Sequence, residues 1–153
     1  MNGKGRLSYA EFSKAAADTR TALTALSKSA LDLGLDKTLS ELVKTRVSQI
    51  NGCAFCVAFH LKMLRGLNVD QAKLDMLAVW REAPMFSETE RAALAWTEET
   101  ARMADGLPRA ETHAALAAHF THEQIIGLNV SIAGINAWNR LAVAFGFSPA
   151  DIG

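Results

Sequence analysis

Five stretches of this chain repeat one short pattern: Ser8-x-x-Glu11, Thr38-x-x-Glu41, Asn68-x-x-Gln71, Ser87-x-x-Glu90 and Thr121-x-x-Gln124. A small polar side chain followed three residues later by Glu or Gln can satisfy two otherwise unpaired N–H groups, so each stretch reads as a helix start. Stops follow in the expected places. Gly34 and Gly66 each close an apolar stretch, and Asp105-Gly106-Leu107-Pro108 closes a third. Strand-like alternation of β-branched residues is nearly absent. The predicted fold class is therefore all-α, with helices near 8–32, 38–50, 52–65, 69–81, 88–104, 109–119 and 122–145, in one domain over 1–153.

The segment 89–104 tests the helical reading. At about 100° per residue, Ala93, Trp96, Thr97, Thr100, Met103 and Ala104 share one arc, opposite Glu90, Arg91, Glu98, Glu99 and Arg102. Half of the 153 residues are hydrophobic, enough for a sizeable core. Sixteen basic residues balance sixteen acidic ones, which argues against a nucleic-acid or anionic-membrane partner drawn by general electrostatics. The basic start, MNGKGR, leads into no apolar run, and no stretch reaches the roughly 18 apolar residues of a membrane span. The expected setting is cytoplasmic and reducing. There a close cysteine pair is more often catalytic, redox-active or metal-binding than a structural staple.

Such a pair is present. The only cysteines, Cys53 and Cys56, lie in SQINGCAFCVAFH, residues 48–60. Two cysteines scattered at random over this length would fall three apart roughly once in eighty placements. Asn51-Gly52 breaks the preceding helix, and Asn51 is expected to cap the next one, placing both thiols in its first turn. There the unpaired N–H groups and the helix dipole favour thiolate over thiol. On a helix Cys53, Cys56 and His60 fall within about 60° of one another. His60 leans back over Cys56, placed to accept its proton or to stabilise its thiolate. Three uses compete: a redox pair, part of a metal site, or small apolar filling. Structural zinc generally takes four ligands, so a metal would need a fourth from His113, His119, His122 or a carboxylate, and their spacing singles out no partner. The spacing, the helix start and the histidine together favour the redox pair, and no cofactor or metal is expected.

The segment Glu41–His60 resembles the core motif of the alkylhydroperoxidase AhpD-like branch of the carboxymuconolactone decarboxylase family. That motif is a glutamate, a Cys-x-x-Cys twelve residues on, and a histidine four residues past the second cysteine. Glu41, Cys53, Cys56 and His60 stand at those spacings. Further stretches look like its small single-domain members: Arg46 to Cys53, Trp80-Arg81-Glu82, Phe86 to Trp96, and Ile135 to Arg140. The resemblance implies an AhpD-like helical bundle, trimers or hexamers, and thiol-based reduction of small hydroperoxides. An external dithiol, of lipoyl or thioredoxin type, would serve as reductant. By the same analogy Cys56 attacks the peroxide and becomes a sulfenic acid, Cys53 closes the disulfide, and Glu41 and His60 relay protons. The Cys-x-x-Cys argues for redox chemistry over the lactone decarboxylation of the wider family. Helix position alone would favour Cys53 as the activated thiolate, whereas His60 and the resemblance favour Cys56. Two alternatives stand beside the peroxidase: a thiol–disulfide oxidoreductase, and a non-enzymatic redox sensor.

Glu41 also has a plainer expectation, since Thr38-x-x-Glu41 as a capping box would spend its carboxylate on the backbone. One position departs from the family pattern. Well-studied members carry a histidine just before the second cysteine, and here it is Phe55, whose ring cannot pass a proton. Trp80, Trp96 and Trp138 are expected in core or interface. Asn136, Asn139 and Arg140, on an otherwise apolar helix, read as polar groups satisfied at a helix or subunit contact. Arg46 is expected either in such a contact or near the thiolates. The apolar surface from Ile125 to Phe147 exceeds what one helix needs, and burial in an oligomer would use the excess.

Overall fold

In the computed structural model, which describes residues 6–152, three of the five expected capping boxes form as read: Ser8 with Glu11, Ser87 with Glu90 and Thr121 with Gln124. Most of the basic start, residues 1–5, lies outside the described residues, as does residue 153. The helices are α1 Tyr9–Ala15, α2 Ala17–Asp32, α3 Lys37–Ile50, α4 Ala54–Gly66, α5 Gln71–Asp75, α6 Glu88–Thr100, α7 Ala110–Ala117 and α8 His122–Phe145. Short 3-10 turns cover Leu77–Val79, Met103–Asp105 and Pro149–Asp151. No strand occurs among the described residues, and the fold is an all-α bundle.

Two expected caps shift. α3 starts at Lys37, with the Asp36 carboxylate accepting the Leu39 N–H at 2.8 Å. Thr38 is therefore inside the helix, and Glu41 sits in its second turn with its carboxylate released from capping. Asn68 takes a left-handed backbone (φ 59°), and Asp70 caps α5 instead.

Three of the expected helices break or stop well short of their expected ends. The 8–32 stretch breaks at Ala16 (φ −125°, ψ 48°). No breaker residue stands there; the cause is tertiary. Phe12 turns into a cluster with Trp138, Phe145 and Phe147, while α2 runs along α8. The 69–81 stretch leaves the α-helix after Asp75 because Leu74, Leu77 and Trp80 are all buried. Residues three apart eclipse on a 3-10 turn but spread around an α-helix. α6 ends at Thr100, so Met103, expected on its buried arc, is exposed, while Ala93, Trp96 and Thr97 are buried as read.

α8 is the centre of the bundle and packs chiefly against α2 and α3. Leu128, Ile132, Ile135 and Ala142 vanish into the core, so much of the apolar surplus on this helix is consumed within the chain. Where α8 crosses α2, a Cβ added at Gly127 would sit 2.7 Å from the Ala30 carbonyl oxygen. Gly127→Ala is therefore expected to cost about 1–3 kcal/mol by forcing the two backbones apart. Urea unfolding of the two proteins measures it; an unchanged midpoint would mean the crossing relaxes freely. Among the described residues no helix is long and apolar enough to cross a membrane.

Candidate active site

The site begins at the turn between α3 and α4. Asn51 ends α3, Gly52 takes a left-handed backbone (φ 68°) that a side chain would strain, and Cys53 starts α4. The expected cap is thus one turn element out of place: Cys53, not Asn51, occupies the capping position. Its sulfur accepts the Cys56 N–H at 3.3 Å. Asn51 does other work. Its amide Nδ2 donates to Asn136 Oδ1 and to Asn139 Oδ1, both at 2.9 Å. Asn139 Nδ2 donates to Ser48 Oγ at 3.1 Å, and the Ser48 carbonyl accepts the Cys53 N–H at 3.0 Å. The asparagines of α8 are therefore satisfied at a helix contact, and that contact pins the turn carrying the thiols.

Cys53 and Cys56 are joined as a disulfide, with Cα atoms 5.3 Å apart. Both residues are buried in the core, and of the two only Cys56 lines the adjacent cavity. That cavity measures about 180 Å³. Its apolar wall is Tyr9, Phe55, Phe59, Ile135 and Trp138; its polar side holds Glu41, Lys44 and His60, with Thr24 and Ser27 from α2. Phe55 packs on Tyr9, Phe59 and Phe147, so the residue in the place of the family's relay histidine is structural wall.

α3 and α4 lie side by side and bring Glu41 to His60. His60 Nδ1 lies 2.6 Å from Glu41 Oε2, and Lys44 Nζ donates to Glu41 Oε1 at 2.9 Å. All three side chains are buried: 6% exposed for Glu41, 6% for Lys44 and 9% for His60. Burial pushes the Glu41 carboxyl up, but the hydrogen bond and charge of His60, with the charge and hydrogen bond of Lys44, outweigh it and hold Glu41 at about 2. Glu41 is thus a carboxylate at neutral pH. A carboxylate only accepts, so Nδ1 carries the hydrogen and the ring nitrogen Nε2 is left to accept a proton.

Glu41, Cys53, Cys56 and His60, singled out in the sequence, therefore come together. Lys44 was missed, although Glu41-x-x-Lys44 is a readable helical pair spacing. Tyr9 and Trp138 reach the cavity from opposite ends of the chain, and no local signal announces that. Arg46 is drawn away from the sulfurs: it donates to Glu98 at 2.8 Å, which also accepts the Trp80 indole N–H at 2.9 Å. Trp80 and Trp96 are core residues. Among the described residues, no group of three or more His, Cys, Asp or Glu side chains is placed to hold a metal ion. His113 packs edge-on against Trp96, with ring centres 5.7 Å apart.

Residues 14–99 match the model of the carboxymuconolactone decarboxylase family. The uncharacterized protein YdfG of Bacillus subtilis (strain 168) is 34% identical over 112 residues, 73% of this chain and 76% of its own length. A crystal structure from Agrobacterium tumefaciens, of a protein of unknown function described as a candidate antioxidant defence protein AhpD, is 36% identical. It superposes with a TM-score of 0.86, covering 95% of this chain and 97% of that one. The debrominase Bmp8, crystallised with 2,3,4-tribromopyrrole, shares the fold alone, at 20% identity and a TM-score of 0.79 over 88% of this chain and 72% of that one. With the paired cysteines, His60 and Glu41 at the family's spacing, and with Cys56, His60 and Glu41 lining one cavity, the chain is an AhpD-like member of the carboxymuconolactone decarboxylase family.

Proposed function

We propose that this protein is a thiol-dependent hydroperoxide reductase that cycles Cys53 and Cys56 between dithiol and disulfide. The observation that carries the reading is the shared cavity: Cys56, linked to Cys53, lines the same small space as a His60 held by Glu41. In the reduced protein His60 takes the Cys56 proton, and the sulfur lies at the start of α4, where helix N–H groups stabilise thiolate. The thiolate attacks the terminal oxygen of a hydroperoxide. An S–O bond forms, the O–O bond breaks, and the departing alkoxide takes the proton from His60 to leave as an alcohol. Cys56 is then a sulfenic acid. The Cys53 sulfur attacks it, water departs, and the disulfide closes. An external dithiol restores both thiols by exchange.

Thiol counting tests the cycle. One equivalent of an organic hydroperoxide should take the reduced protein from two free thiols per chain to none, with one alcohol formed. Excess dithiol and peroxide should then sustain turnover. Oxidation that happens once, with no turnover under excess dithiol, would make the protein a redox sensor. Thiols that exchange with disulfides but ignore peroxide would make it a thiol–disulfide oxidoreductase.

A further inference from the structure

Lys44 lines the same cavity as Cys56 and His60, and the cycle above gives it no task. It stands one helical turn from Glu41, almost wholly buried, with its ammonium on Glu41 Oε1. A buried cation is costly to hold unless paired, so its retention at the edge of a reactive cavity asks for a reason. The division of the carboxylate supplies one. Each oxygen has its own partner: Oε1 takes the Lys44 ammonium, Oε2 takes His60 Nδ1. Lys44 is itself held in register, since Ser48 Oγ donates to its carbonyl at 2.8 Å and Ser48 in turn meets Asn139.

Charge counting shows what this arrangement does. Glu41 and Lys44 together are neutral. Were Lys44 uncharged, the buried carboxylate would keep only His60 as a counter-cation and would favour the imidazolium form. With Lys44 in place, the ring can be oriented by Glu41 without being trapped as a cation. Among the described residues that line this cavity, the other titratable groups are Cys56 from α4 and Tyr9 from α1; α2 contributes Thr24 and Ser27, and α8 contributes Ile135 and Trp138.

We infer that Lys44 is a positioning residue whose ammonium neutralises Glu41 from one oxygen, so that the other oxygen fixes His60 as a neutral imidazole able to accept the Cys56 proton. Glu41 is then a fixed orienter and not a proton carrier, and the proton traffic of the cycle passes through the His60 ring. This rests on the reading of His60 as the proton acceptor for Cys56, but its test does not use peroxide. The dithiol-reduced full chain, labelled with 15N-histidine, is titrated by NMR as wild type, Lys44→Met, Lys44→Arg and the double variant Lys44→Met with Glu41→Gln. In Lys44→Met the pH at which the His60 ring nitrogens change over should rise by at least about one unit, a tenfold change in proton concentration. Lys44→Arg should restore the wild-type midpoint. The double variant, which removes both charges and leaves no unpaired ion, should also return toward wild type, and it reports even if Lys44→Met does not fold. A wild-type midpoint in Lys44→Met overturns the inference, as does a double variant whose midpoint stays displaced upward by a unit or more. The expected upward shift in Lys44→Met and its rescue in the other two variants, together with an absence of peroxide turnover by the wild type, would instead sink the peroxidase reading and leave the Lys44 role standing.

Discussion

Serine in place of Cys56 is expected to lower hydroperoxide turnover on the order of a thousandfold or more, the scale on which loss of a nucleophile registers. A hydroxyl at that position does not ionise near neutral pH, and neither the helix start nor His60 can make it a comparable attacking group. Cys53→Ser is expected to behave differently. Cys56 still faces the cavity beside His60, so one equivalent of peroxide should be consumed in a burst, and the product should be a sulfenic acid with no neighbouring thiol to trap it. Stopped-flow consumption of peroxide, with mass spectrometry of dimedone-trapped protein, reads both variants. The competing assignment has a physical basis of its own. Cys53 occupies the capping position of α4, nearest the positive end of the helix dipole. A burst retained by Cys56→Ser and lost in Cys53→Ser would mean that helix position outweighs access to the cavity, and the roles of the two sulfurs would be exchanged.

The residues that carry this chemistry were legible to different depths. Cys53, Cys56 and His60 lie within eight residues, so one short helix determines their relation and the sequence alone reveals it. Glu41 was recognisable through the family motif, but its freedom to act was not. Thr38-x-x-Glu41 is a sound capping box by composition, and only a helix start moved to Lys37, with Asp36 as the cap, releases the carboxylate. Asn51 failed for the converse reason: the residue was a correct boundary marker, but its amide was spent across the bundle on Asn136 and Asn139 instead of on the next helix. The breaks at Ala16 and after Asp75 have no local cause, since they follow from burying Phe12 in one case and Leu74, Leu77 and Trp80 in the other. Phe55 was visible as a departure from the family pattern, whereas its part in an aromatic wall with Tyr9 needed a contact across almost fifty residues.

Glu41 should also leave its mark on stability. Its carboxyl is held at about 2 in the folded protein against an ordinary value of 4.5, so the folded state favours the ionised form. The stabilisation is fully present above about pH 4.5 and is lost as pH falls through 4.5 toward 2, where the folded protein must also take up the proton. The difference corresponds to about 3 kcal/mol at neutral pH. Glu41→Gln is expected to lose stability of that order at pH 7, because it leaves Lys44 buried without its counter-charge, and breaking one side of a buried ion pair costs about 3–5 kcal/mol. In a chain of 153 residues this should lower the melting temperature by roughly 10 °C. The gap between wild type and variant should then narrow steadily below pH 4.5, since protonation does to the wild type what the substitution did to the variant. Urea unfolding of both proteins from pH 7 down to about pH 3 measures that gap directly. A gap that stays constant over the range would show that Glu41 stabilises by packing alone. That outcome would also remove the charge-locked carboxylate on which the orientation of His60 depends.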